Sequence, residues 1–224
     1  MISNFKQIEK LCVELNSIVE NKISIYLLGG GAMMYYNLKQ ETKDMDLVCK
    51  TDDYFKLYSV LKKIGFVAKN PSREYLRLNI SEILIRDDFR IDLFNNKVCG
   101  NLSLTDSIIK RSKLAVDLQN IKLFCFSPED IFVFKSITER EGDVVDSENI
   151  LRGELDLNII YLEILSQIKE HGKDVWITYF VARLEALIDK GFDIPIYKES
   201  RKLAEEYYNQ LEFNINKYKK EGKM

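Results

Sequence analysis

Residues 26–48, YLLGGGAMMYYNLKQETKDMDLV, decide how the chain is read. The segment ISIYLL before and into this stretch has the apolar, β-branched character of a short buried strand. Gly29, Gly30 and Gly31 follow it at the turn into a short helix expected over residues 32–38. MDLVCK then reads as a second strand. On a strand, positions two apart share a face, so Asp44 and Asp46 point one way while Met45 and Leu47 point into the core.

Each half of this pattern has an ordinary and a chemical meaning. Glycines between a strand and a helix make a tight turn, but they also let backbone N–H groups at a helix start approach phosphate oxygens. Two aspartates on one strand face suit solvent, or they converge on a hard cation that relieves their repulsion. Asp92, in FRIDLF, is a third carboxylate, flanked by core residues Ile91 and Leu93. If its strand neighbours the one carrying Asp44 and Asp46, three carboxylates can hold one or two magnesium ions. Asp92 is then also placed to take a proton from an acceptor hydroxyl. Asp87 and Asp88 are rivals in a turn-like context and are assigned to solvent.

The bulk composition sets outer limits. The 224 residues, 46% hydrophobic and 30% charged, are ordinary globular composition. With 33 basic and 35 acidic side chains, no overall field favours nucleic acid, so such a contact would need a local patch. Cys12, Cys49, Cys99 and Cys125 are scattered and His171 is the only histidine, which argues against a zinc cage or a disulfide framework. The thiols fit a reducing compartment, and no apolar run is long enough to span a bilayer, so a cytoplasmic protein without a membrane contact is expected.

Around the opening stretch the chain divides by period. Phe5, Ile8, Leu11, Leu15 and Ile18 predict an amphipathic first helix, and Asp52 or Asp53 can cap a helix carrying Phe55, Leu57, Tyr58, Leu61 and Ile64. FVAKN, YLRLNI, ILIRDD, FRIDLF and IKLFCF read as strands, with SLTDSIIKR a helix among them. Beyond Phe126 about four helices and no strand are expected. The predicted organisation is an α/β domain over 1–126, with a mixed twisted sheet flanked by helices in the α+β manner, and a helical domain over 127–224.

A second motif, SPEDIFVFKSITEREGDVVD, opens as a helix start. Ser127 caps, Pro128 suits the first position and Asp130 is placed for the reciprocal contact. Lys135 and Arg140 follow, then Asp143 and Asp146; on spacing alone these fit surface salt bridges. Residues 110–113, KRSK, suit a solvated helix end, and His171 a helix C-terminus. Trp176, Tyr179, Phe180 and Leu184 recur at core spacing.

The paired glycines, the later DxD and the lone Asp resemble the DNA polymerase β superfamily of nucleotidyltransferases. The two quoted motifs together are similar to its AbiEii-like branch, which includes toxin nucleotidyltransferases. The resemblance covers roughly residues 23–150. It implies a magnesium-dependent enzyme, with manganese able to substitute, that transfers a nucleoside monophosphate from an NTP and releases pyrophosphate. It implies metal-binding and catalytic roles for Asp44, Asp46 and Asp92, and nucleotide-binding roles for Gly29, Gly30, Gly31, Lys135 and Asp143. The acceptor implied is a tRNA or other RNA end, a protein hydroxyl or a small molecule of the aminoglycoside kind. A toxin-antitoxin setting with a cognate partner protein is implied as well, and a catalytically silent, antitoxin-like binding module is the alternative.

Overall fold

The computed structural model describes residues 1–69, 82–138 and 140–220. The expected strand YLRLNI falls outside the described residues. The chain divides into two compact units, Met1–Ile131 and Phe132–Met224.

The first unit opens with α1 (Phe5–Asn16). Asn4 caps it, accepting from the Lys6 N–H, and Gln7 reaches back to the cap backbone in a capping box. Ile8, Leu11, Cys12 and Leu15 form its buried stripe, whereas Ile18, expected to extend that stripe, lies beyond the helix and is exposed. Strand β1 (Ile23–Leu28) then leads directly into α2 (Gly29–Tyr35). The helix therefore begins at the first glycine, three residues earlier than expected from sequence, and ends at Tyr35. Strand β2 (Met45–Cys49) and α3 (Thr51–Lys63) follow. Asp52 and Asp53 do not cap α3; they lie inside its first turn, where negative charge suits the helix dipole. Asp53 also accepts from the Ser24 N–H at 3.0 Å and so ties the start of α3 to β1.

The remaining elements of this unit are β3 (Val67–Ala68), β4 (Glu82–Arg86), β5 (Phe89–Asn95), the short pair β6 (Lys97–Val98) and β7 (Leu102–Ser103), α4 (Asp106–Arg111), β8 (Lys113–Asp117) and β9 (Ile121–Cys125). Asp87 and Asp88 form the exposed turn between β4 and β5. β8 was not anticipated from sequence. It lies at the sheet edge with three of its five residues exposed and none buried, so it lacks the apolar alternation that marks a core strand.

Seven strands make one mixed sheet in the order β3-β4-β5-β2-β1-β9-β8. β1 runs antiparallel to β2 and parallel to β9, and β2 runs parallel to β5. The two parallel pairings at the centre, β2 with β5 and β1 with β9, join strands distant in sequence, and the apolar residues there, among them Leu27, Leu47, Ile91, Leu93 and Cys125, are wholly or nearly buried. α5 (Pro128–Ser136) contains the division between the units. Ser127 Oγ accepts from the Asp130 N–H at 3.3 Å and bonds the Asp130 carboxylate at 2.9 Å. The capping contact is thus returned to the hydroxyl.

The second unit continues with α6 (Glu141–Leu151), α7 (Leu157–His171), α8 (Trp176–Ile188) and α9 (Tyr197–Lys220). Trp176, Phe180 and Leu184 are buried on α8, with Tyr179 half-buried, and His171 sits in the last turn of α7. Among the described residues no helix is long and apolar enough to cross a membrane.

Candidate active site

The register of the central strands brings the carboxylates together. Leu28 of β1 pairs with Asp46 of β2, and Asp46 pairs with Asp92 of β5. Residues paired across parallel strands present their side chains to the same face, so Asp46 and Asp92 are lateral neighbours. Asp44 lies just before β2, on that face by the two-residue period. Within β2 only Asp46 is left half-buried; Met45, Leu47, Val48 and Cys49 are all buried. Asp46 is therefore the one position of β2 that the core does not cover.

The glycines do three different things. Gly29 has φ of +63°, a left-handed conformation that side chains rarely adopt. A Cβ there would stand 2.1 Å from Oδ2 of Asp46. At Gly30 a Cβ would stand 2.4 Å from Thr42 Oγ1, and at Gly31 it would stand 2.9 Å from Leu27 Cδ1. Thr42 in turn donates to the Asp44 carbonyl at 3.1 Å, and its backbone bridges Ile2. Gly29 and Gly30 thus let the start of α2 close down on the segment that carries Asp44 and Asp46, and Gly31 lets it pack on Leu27 of β1. The left-handed position is Gly29, and Gly30 is held by close packing alone.

Arg90 completes this edge, and sequence reasoning missed it. Its Nε donates to Asp92 Oδ1 at 2.8 Å and its Nη2 to Asp92 Oδ2 at 2.8 Å, a two-point fork. The same Nε lies 4.0 Å from Asp44 Oδ2. The available signal was position: Arg90 and Asp92 are two apart on β5 and so share the acidic face. Among the described residues, no three His, Cys, Asp or Glu side chains are gathered closely enough to hold a metal ion. The register places Asp46 and Asp92 side by side, but the Asp92 carboxylate is turned to a guanidinium. The donor set itself, carboxylates with neither thiolate nor imidazole, fits a hard divalent cation.

Lys135 and Asp143, expected to contact nucleotide, lie in the second unit. Lys135 Nζ stands 2.6 Å from Asp143 and 2.9 Å from Asp146, and all three side chains are largely buried. Thr138 Oγ1 donates to Asp143 Oδ2 at 2.5 Å, and Arg140 Nε lies 3.6 Å away. Burial opposes charge on Asp143, but Lys135, the Thr138 hydroxyl and Arg140 outweigh it and hold the carboxyl below its ordinary range. Arg183, 5% exposed, donates to the Thr138 carbonyl at 2.7 Å and braces the same segment from α8. The salt bridges are therefore a buried network and not the surface pairs that spacing alone suggested.

The KRSK stretch also differs from expectation. Arg111 is not solvated; it forks onto the fully buried Asp130 at 2.6 and 3.1 Å, and Lys113 already belongs to β8. A cleft in the first unit lined by Gln7, Lys10, Leu11, Glu14, Arg86 and Phe89 includes none of the candidate residues.

The first unit thus sets a glycine helix start against a carboxylate edge on a mixed seven-stranded sheet, and the second unit is helical. Residues 3–190 match the family "Nucleotidyltransferase of unknown function (DUF6036)", and the chain belongs to that family. It is accordingly an enzyme of the nucleotidyltransferase class, for which an NTP is the implied substrate. Among solved structures, the crystal structure of ANT(2")-Ia in complex with adenylyl-2"-tobramycin is similar with a TM-score of 0.49, at 10% identity over 75% of this chain and 98% of that one. The solution structure of the antibiotic-resistance factor ANT(2")-Ia also gives 0.49, at 9% identity over 74% of this chain and 94% of that one. No curated protein matches the chain.

Proposed function

We propose that this nucleotidyltransferase moves a nucleoside monophosphate from an NTP to an acceptor hydroxyl or an RNA end, releasing pyrophosphate, with Asp44, Asp46 and Asp92 as its metal-binding carboxylates. The observation that carries the reading is the pairing of Asp46 with Asp92 beside the glycine start of α2. A bound magnesium or manganese ion would supply charge neutralisation for the triphosphate and for the oxygens entering and leaving phosphorus. Asp46 and Asp44 offer half-buried carboxylates at the edge, and Asp92, 3% exposed and paired laterally with Asp46, is assigned to take the acceptor's proton. Gly29 and Gly30 keep the backbone of α2 close to that edge and Gly31 keeps it close to β1, so that the first N–H groups of the helix supply donors for phosphate oxygens.

For the second unit we propose nucleotide-binding roles for Lys135 and Asp143. Lys135 supplies charge for phosphate, and Asp143 with Asp146 fixes where its ammonium stands. The sequence likeness to AbiEii-like proteins extends the proposal to a toxin-type enzyme restrained by a cognate partner protein. The alternative is a silent, antitoxin-like binding module; the buried Asp92 in register with Asp46 favours the enzyme, because a retired site has no chemical reason to keep a carboxylate there at a desolvation cost.

Incubation of the protein with each labelled NTP and magnesium tests the reaction directly, with total RNA, purified tRNA, cell protein and aminoglycosides as separate acceptor arms. Label should enter one acceptor class and vanish with Asp46→Asn. Incorporation that persists undiminished in Asp46→Asn would remove Asp46 from the reaction.

A further inference from the structure

Asp92 is buried deeply enough that its charge needs a partner, and the structure supplies one from two residues away. Its two oxygens each accept from a different nitrogen of Arg90, both at 2.8 Å, and the guanidinium leans to within 4.0 Å of Asp44. One cation therefore serves two of the three carboxylates that the proposed reaction assigns to a divalent ion. A guanidinium fork occupies the inward-facing lone pair of each Asp92 oxygen, so a metal chelated by both oxygens must displace it, and the adjacent positive charge opposes any cation at Asp92.

We infer that Arg90 is a resident counter-cation, which holds Asp92 while the divalent ion is absent and competes with that ion for the same carboxylate. This inference rests on the metal-binding reading of Asp44, Asp46 and Asp92. Arg90 is a positioning residue, acting through Asp92. Its first effect is on the apoprotein, where it offsets the charge of the buried Asp92 and eases its repulsion with Asp44. Its second is on metal affinity, which it lowers because the ion must displace a two-point charged hydrogen bond before Asp92 becomes available. Lysine at this position keeps the charge but cannot form the planar fork. Charge and fork are therefore separable.

The test measures Mn²⁺ binding to the full-length protein by the electron paramagnetic resonance signal of the free ion, with no nucleotide present. Arg90→Gln should bind Mn²⁺ about tenfold tighter or more, the scale on which one adjacent charge shifts a carboxylate equilibrium. Arg90→Lys should fall between Arg90→Gln and the unmodified protein. Asp46→Asn should abolish the binding in every background. Thermal melts give a second measure, because Arg90→Gln should melt lower than the unmodified protein without metal and gain more from Mn²⁺. If binding depends on Asp46 but Arg90→Gln is no tighter, the latch is wrong and the metal reading stands. If Arg90→Lys matches the unmodified protein while Arg90→Gln is tighter, net charge alone is responsible and the fork is overturned. If Mn²⁺ binding is absent, or is indifferent to Asp46, the metal reading fails and the latch falls with it.

Discussion

A methyl group on Gly29 would stand 2.1 Å from Oδ2 of Asp46, inside any possible van der Waals contact. The glycine that begins α2 and the second aspartate of the acidic edge are thus one packing unit. Its chemistry and its backbone geometry cannot vary independently.

Gly29→Ala should therefore damage both. The left-handed backbone alone costs a residue with a Cβ about 1–2 kcal/mol, and the clash moves Asp46 or the start of α2. The expected result is a lower melting temperature together with weakened metal binding. Gly30→Val acts differently, since its side chain meets Thr42 and so displaces the loop leading to Asp44. A folded Gly30→Val protein that binds and transfers NTP normally would show that this approach is structural only.

Asp46→Asn should abolish nucleotide transfer while leaving the fold intact. The asparagine preserves shape but removes the charge that a divalent cation needs. Circular dichroism and a melting curve check the fold, and label incorporation checks the reaction.

Magnesium and NTP together should raise the melting temperature of the unmodified protein by mass action. At a hundredfold excess over the dissociation constant the stabilisation is about 2.7 kcal/mol. The shift should disappear in Asp46→Asn, and its absence in the unmodified protein at millimolar ligand would favour the binding-module alternative.

Lys135→Ala should be a stability variant as much as a binding variant. Removing the ammonium leaves Asp143 and Asp146 buried without their common cation, a change that costs about 3–5 kcal/mol in comparable buried pairs. Lys135→Ala combined with Asp143→Asn and Asp146→Asn should recover most of the loss in chemical denaturation. Nucleotide affinity should remain low in the triple variant if Lys135 contacts phosphate.

The Asp143 carboxyl also predicts a pH dependence. Its native pKa lies below the ordinary value of 3.8, so the unfolded chain takes up this proton first as pH falls. The associated stability is present above that ordinary value and is lost as pH drops through the lower native one. Unfolding followed by the fluorescence of Trp176 should show this acid slope, and Asp143→Asn should flatten it.

Much of this was legible in the sequence because it depends on local periods. Alternation by two put Asp44 and Asp46 on one face and Ile91 and Leu93 opposite Asp92. The glycine run marked a turn, and Ser127-Pro128 marked a helix start. The edge strand β8 escaped because exposed positions carry little hydrophobic signal, and the early start of α2 escaped because glycine is a poor predictor of helix.

What only the tertiary structure decided is who stands beside whom. The placement of β2 between β1 and β5, and the pairing of Asp46 with Asp92 in register, depend on long-range strand order that no local pattern encodes. The same holds for the fork of Arg90 on Asp92, the seat of Gly29 against Asp46 and the burial of Lys135 between two aspartates. Residue type and spacing determined which charges the chain carries and which face each prefers. Packing determined which opposite charge each one meets, because burial leaves a carboxylate only those partners that the fold brings within hydrogen-bonding distance.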